Sequence, residues 1–124
     1  MGYRYLSADE LVALQRRLGG SSDVDADRLD ALVARPALAA QYDNADLIRQ
    51  AALLVAGIVC LQPFPNGNRR LALVAGDLFI AINGFRLTAD LLEFADQIVN
   101  LPAALEEAAD TLEAWLRRRV RFDG

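Results

Sequence analysis

Histidine is absent from all 124 residues. The chain therefore lacks the side chain that most often acts as a base near neutral pH, which is also the commonest zinc ligand. Cysteine occurs once, at Cys60, so no disulfide can form within the chain, and the apolar run around Cys60 predicts a small buried side chain. These absences fit a cytoplasmic protein better than a disulfide-stapled secreted one.

Long apolar segments and an excess of positive charge are also missing. The first residues, MGYRYLSADE, have no apolar core of a signal peptide, and the longest apolar run, 51–61, is too short to span a bilayer. Thirteen basic residues stand against 17 acidic ones, for a net charge of -4. We therefore expect neither a membrane nor a nucleic acid as a direct partner, and any anion-binding site must be local.

Helix-forming residues dominate what remains. Hydrophobic residues make up 54% of the chain, alanine and leucine fill the long segments, and no alternation of period two is visible. No repeat, low-complexity tract or linker divides the sequence. It predicts an all-α protein in which residues 1–124 form a single bundle-like domain of about six helices.

Capping and breaking residues set the predicted helix limits. Pro36 is predicted to end the second helix and leave an exposed flap or loop at 36–44, and the third helix is predicted to be central because it is apolar on every side from Ala51 onward. The six predicted helices are Ala8–Leu18 after a Ser7/Glu10 capping box, a short one through Leu29 and Val33, Ala45–Leu61 capped by Asn44, one from Asn68 to an Asn83-Gly84 stop, one capped by Thr88, and one beginning at Pro102.

The segment QPFPNGNRR, residues 62–70, lies between two apolar helices and opens the second. The first N–H groups of a helix have no intrahelical acceptor, and Gly67 can adopt the backbone conformations that let such donors converge on an anion. Arg69 and Arg70 add charge, and Asn68 would either cap the helix or donate to a phosphate oxygen. Composition alone leaves open an ordinary proline-rich turn with solvated arginines.

The same nine residues resemble the Fic signature HPFxxGNxR. They agree with it at Pro63, Phe64, Gly67, Asn68 and Arg70. The wider chain is similar to the Doc (death-on-curing) branch of the Fic/Doc family. The similar features are YLSADELVAL near the start, Ala34-Arg35-Pro36, Asn83-Gly84, the LTAD turn at 87–90, and a basic residue at Arg69 where AMP-transferring Fic enzymes usually have glycine.

This resemblance implies a Fic/Doc-like helical bundle that moves a phosphate-containing group from ATP to a hydroxyl of a protein. For Doc toxins it implies elongation factor Tu, part of the translation machinery, as substrate and a small Phd-like antitoxin as partner. By the same resemblance Asn68 and Arg70 would hold phosphates, with Gly67 in the anion hole and Phe64 packing the loop. Asn66 stands where many Fic proteins carry an acid that helps to hold Mg²⁺, and an amide is a weaker ligand for that ion.

Gln62 occupies the position of the family's catalytic histidine. A glutamine amide cannot take a proton from the attacking hydroxyl, and such assistance contributes about 10² to 10⁴ in rate. The sequence thus predicts a Doc-like scaffold that binds nucleotide and is catalytically disabled, whether by natural loss or by a deliberate change. A pseudoenzyme that acts as a protein-binding module is the alternative, and a third hypothesis has Gln62 orienting a reacting group.

Overall fold

The computed structural model describes residues 2–124, and within them the chain forms six helices and two short strands. The all-α prediction with about six helices is confirmed. In chain order the elements are α1 (Ala8–Arg17), α2 (Ala26–Asp43), α3 (Leu47–Leu61), α4 (Asn68–Ile82), β1 (Phe85–Leu87), α5 (Leu91–Val99), α6 (Leu105–Arg117) and β2 (Val120–Phe122).

Helix α3 lies at the centre of the bundle, as its apolar surface predicts. It contacts α2, α4 and α6, and every residue from Gln50 to Ile58 is buried. Helix α4 approaches α3 closely because Gly76 has no side chain where Val55 and Phe94 fill the space. The loop that follows α3 is therefore attached at both ends to well-packed helices.

Helix α2 corrects the prediction for residues 36–44. Pro36 lies inside this helix, which continues to Asp43 and ends at Asn44 in the left-handed conformation (φ 54°). Pro36 and Ala39 are buried, and Ala39 packs in a small apolar cluster with α3 and α6. Tertiary packing of this face outweighs the hydrogen bond that proline cannot donate. The predicted flap is therefore helical, and Tyr42, which is 73% exposed, lies near its end.

Three predicted helix starts are also wrong. Helix α3 is capped by Asp46, whose side chain accepts from the N–H of Arg49, because Asn44 already ends α2. Asp90 caps α5 in the same way, while the Thr88 hydroxyl donates to the Arg119 carbonyl instead. Helix α6 begins at Leu105, three residues after Pro102, where its buried face begins to meet the core. For α3 and α5 two good capping residues stand close together in the sequence, and the structure uses the second of them.

The two strands form an antiparallel ribbon that the sequence pattern does not reveal. Phe85 pairs with Phe122 and Leu87 with Val120, and the two phenyl rings meet edge to face with centroids 5.3 Å apart. Three residues are too few to display an alternation of period two. In the part of the chain described, no helix combines the length and apolar character needed to cross a bilayer.

Candidate functional site

Residues 62–67 connect α3 to α4 through two left-handed positions. Gln62 ends α3 with φ 48°, and Pro63 cannot continue the helix. Gly67 (φ 73°) then precedes Asn68, the first residue of α4. A glutamine in the left-handed region is unusual, whereas glycine adopts it freely. The turn therefore presents the start of α4 beside the end of α3.

Two residues fix the interior of the loop. Phe64 is 3% exposed and packs into the main core, as expected from the resemblance. The Asn68 carboxamide accepts a hydrogen bond from the N–H of Phe64 (3.1 Å) and donates one to its carbonyl oxygen (2.8 Å). Asn68 thus holds the loop in shape without capping α4, and its direct contact with phosphate stays a prediction.

The start of α4 offers unpaired donors and positive charge. No side chain from residues 2–124 caps this helix, and the first N–H groups of an α-helix have no intrahelical acceptor. Arg69 and Arg70 are exposed, and neither forms an ion pair with another described residue, in contrast to Arg49 and Arg117. Arg70 Nη2 lies 3.2 Å from the position that a Cβ of Gly67 would occupy. The unpaired guanidinium groups of Arg69 and Arg70 therefore lie close to the free N–H groups of the first turn of α4, an arrangement that suits an anion.

All six predicted site residues border one cavity of about 310 Å³. Its volume is at the lower end of the range for small-molecule sites, and it suits phosphate groups better than an entire nucleotide. The lining residues are Val59, Gln62, Pro65, Asn66, Gly67, Asn68, Arg69 and Arg70.

A larger cavity of about 660 Å³ lies between the second half of α2 and α3. Its two arginines, Arg35 and Arg49, already contact Glu106 at 3.4 Å. Glu106, which lies in the first turn of α6, places negative charge in the wall of this cavity. In the smaller cavity, by contrast, Arg69 and Arg70 form no ion pair with a described residue, so the positive charge is not neutralised.

The family model described as the Fic/DOC family matches residues 5–80, which is more than half of the chain and includes the whole loop. The chain belongs to the Fic/DOC family. No curated protein matches it. The Fic/DOC fold serves protein modification by AMP transfer. In this chain the matched region includes the loop that borders the cavity at the start of α4.

Gln62, the residue that ends α3 in this Fic/DOC protein, is exposed. Gln62 borders this cavity and a second one of about 310 Å³, which is lined also by residues 23–25. An amide has no proton-accepting site near neutral pH, so Gln62 can orient a hydroxyl and cannot deprotonate it. The sequence contains no histidine that could take over.

Mg²⁺ would meet few protein ligands at this Fic/DOC loop. Asn66 is exposed, and its side chain offers one amide oxygen. Residues 2–124 contain no group of three or more His, Cys, Asp or Glu side chains that could hold a metal ion. Binding of Mg²⁺ together with ATP phosphates, which supply oxygen ligands of their own, stays a prediction.

The sequence did not predict the hydrogen bonds that anchor the loop to α1 and to the start of α2. The N–H of Asp25 donates to the Pro63 carbonyl (2.8 Å), and Arg28 Nη1 donates to the Leu61 carbonyl (3.2 Å). Gln15 Nε2 donates to the Asn66 carbonyl at 2.9 Å. Only Gln15 left a signal in the sequence, because it interrupts the apolar face formed by Leu11, Leu14 and Leu18.

Proposed function

We propose that this Fic/DOC protein is a Doc-like toxin scaffold that binds the phosphates of ATP at residues 62–70 and is catalytically disabled by Gln62. The observation that carries the proposal is the cavity at the start of α4, where Gly67, Arg69 and Arg70 place free N–H groups and unpaired guanidinium groups together. Two arginines at a helix start can bind phosphate oxygens with charge-assisted hydrogen bonds.

The Doc branch is favoured by Arg69. This side chain is exposed at the cavity, where the typical AMP transferase has a glycine that leaves room for part of the nucleotide phosphates. A long basic side chain narrows that space and favours a phosphotransferase of the Doc type. The proposal includes the partners of that branch, a Phd-like antitoxin and a protein substrate of the translation machinery such as elongation factor Tu.

The chemistry explains why residue 62 decides activity. Bound ATP supplies the phosphorus centre, at which an O–P bond to the acceptor hydroxyl forms as a P–O bond to ADP or pyrophosphate breaks. Arg69, Arg70 and the N–H groups at the start of α4 offset negative charge on the phosphate oxygens. The hydroxyl proton needs an acceptor at residue 62, and Gln62 does not provide one.

Restoring the histidine tests the proposal directly. Gln62→His is compatible with the local backbone because histidine is enriched among non-glycine residues with positive φ. With γ- or α-labelled ATP in a bacterial extract, we expect Gln62→His to label a protein and to inhibit growth on expression, whereas the unchanged chain binds ATP without transfer. The label position distinguishes phosphoryl from AMP transfer. A variant that binds ATP and labels nothing would rule out the latent enzyme.

A protein-binding module is the second candidate, favoured by the surface beside the larger cavity. Leu38 and Tyr42 are exposed there, at 49% and 73%, and tyrosine is enriched among the residues that contribute most to protein–protein binding. This candidate predicts partner binding that survives Arg70→Ala and is lost in Tyr42→Ala. A nucleotide-dependent function predicts instead that function is lost in Arg70→Ala.

A further inference from the structure

Gln15 is a fully buried polar residue beneath the phosphate-binding loop. Its side chain is 0% exposed, and its Nε2 atom donates to the Asn66 carbonyl oxygen at 2.9 Å. Its Oε1 atom is buried and has no hydrogen-bond partner among the described residues. A buried acceptor without a partner destabilises a protein. Leucine would continue the apolar face of α1 here, so stability alone does not explain glutamine.

Two glycines make room for this carboxamide. A Cβ on Gly20 would overlap Gln15 Nε2, and a Cβ on Gly67 would lie 3.4 Å from the same atom. The N–H of Gly20 also donates to the Gln15 backbone carbonyl at 2.9 Å. The turn after α1 and the loop before α4 therefore enclose the carboxamide from two sides, which restricts where its donor can point.

The contact with Asn66 fixes the orientation of a whole peptide unit. The peptide joining Asn66 to Gly67 is trans, so its carbonyl and its N–H point in opposite directions. Gln15 holds the carbonyl on the buried side. The N–H of Gly67 consequently points to the other side, where Asn66, Gly67 and Asn68 border the cavity.

We propose that Gln15 is a positioning residue that turns the N–H of Gly67 toward the anion in the cavity. It acts through the Asn66–Gly67 peptide, and Gln15 is not among the residues that border the cavity. The inference rests on the proposed binding of phosphate by this loop. A residue of α1 would thus contribute to anion binding, which the sequence of the loop alone does not indicate.

A pair of buried glutamines provides a matched test. Gln50 is also 0% exposed, but both polar atoms of its side chain are bonded, Oε1 by the Tyr5 hydroxyl (2.8 Å) and Nε2 to the Ala45 carbonyl (3.1 Å). Methionine keeps the length of either side chain and removes its hydrogen bonds. We expect Gln15→Met to weaken ATP and inorganic phosphate binding about three- to tenfold, the worth of one hydrogen bond, with little change in Tm. Gln50→Met should lower Tm and leave affinity unchanged.

Gly20→Ala tests the same contact without altering Gln15. Its methyl group displaces the carboxamide from Asn66, so we expect a loss of affinity similar to that of Gln15→Met. Gly2→Ala is the control, because a Cβ there has no atom within 4 Å. Isothermal titration calorimetry measures binding, and the ¹⁵N–¹H resonance of Gly67 reports the orientation of its N–H group. That resonance should shift in Gln15→Met and Gly20→Ala and stay in place in Gln50→Met.

The outcomes separate this inference from the proposed function. If the unchanged chain binds neither ATP nor phosphate, the proposed function fails, and the Gly67 resonance alone decides whether Gln15 orients the peptide. If the unchanged chain binds and a folded Gln15→Met protein binds equally well, or if its Gly67 resonance does not move, Gln15 has no positioning role.

Discussion

The side chain of Asn68 forms a closed ring with the backbone of Phe64. Its Oδ1 accepts from the Phe64 N–H at 3.1 Å, and its Nδ2 donates to the Phe64 carbonyl at 2.8 Å, both in buried surroundings. A four-residue turn is thereby held by a side chain of the following helix. The shape of the loop and the start of α4 are consequently set together.

Replacing Asn68 with alanine should loosen this turn. The N–H and carbonyl of buried Phe64 lose their partners, and unsatisfied buried groups cost about 1–3 kcal/mol each. We expect Asn68→Ala to lower the free energy of unfolding by about 2–3 kcal/mol and to weaken phosphate binding, as measured by urea unfolding and calorimetry. Asn66→Ala is the control for stability, because this side chain is exposed and forms no hydrogen bond with a described residue. Equal stability of the two variants would contradict the role of Asn68.

Gly67→Ala should affect both the backbone and the site. Its φ of 73° is unfavourable for alanine by about 1–2 kcal/mol, and the new methyl group meets Arg70 Nη2 at 3.2 Å. Gly84→Ala is the matched control, since Gly84 has φ 83° and the nearest atom lies at 3.9 Å. We expect similar losses of stability in thermal melts, with loss of ATP affinity confined to Gly67→Ala. A Gly67→Ala variant that binds ATP as well as the unchanged chain would argue against anion binding at Gly67.

Gln62→Gly should make the protein more stable. The left-handed conformation at Gln62 costs about 1–2 kcal/mol, which glycine would not pay. Glycine also increases the conformational entropy of the unfolded chain, and this cancels roughly half of the stabilisation. We expect a net increase of about 0.5–1 kcal/mol in the free energy of unfolding. Asn44→Gly, at φ 54°, should gain less because asparagine tolerates this region better. Equal or lower stability of Gln62→Gly would show that the Gln62 side chain contributes contacts of its own.

The Asp46–Arg117 ion pair should make stability depend on pH. Hydrogen bonds from Arg117, at 2.8 and 3.3 Å, lower the pKa of Asp46 below its ordinary value of 3.8, and burial opposes them only in part. A carboxyl with a lowered pKa stabilises the fold above its unfolded pKa and loses that contribution as pH falls through the folded value. Because both side chains are about half exposed, the effect is at most about 1 kcal/mol.

Asp46→Asn measures this contribution, because asparagine can still cap α3. We expect the variant to be less stable than the unchanged chain at pH 7 and equally stable near pH 2, with 0.5 M NaCl reducing the difference at pH 7. A double-mutant cycle with Arg117→Gln isolates the pair from the second contact of Arg117 with Glu113. A stability difference that stays constant from pH 7 to pH 2 would exclude the ion pair as its cause.

Local patterns predicted the parts of the fold that local physics determines. The Ser7/Glu10 capping box forms as expected, and α4 begins at Asn68 and ends just before the predicted Asn83-Gly84 stop. Pro36 misled the prediction because its effect on a helix depends on packing partners distant in sequence. The ribbon and the Gln15–Asn66 contact, which joins residues 51 positions apart, are likewise tertiary. The loop could be recognised from the sequence, whereas the hydrogen bonds from distant residues that anchor it could not.

The only cysteine lies half-buried on α3, next to a residue of the loop cavity. Val59 borders the loop cavity, whereas the neighbouring thiol, Cys60, points elsewhere and lies 3.8 Å from the Pro102 carbonyl oxygen. A fluorophore or surface linker on this single thiol would leave the cavity open to ligands. Because burial raises the pKa of Cys60, less of it is thiolate at neutral pH, so conjugation should proceed faster in mildly alkaline buffer.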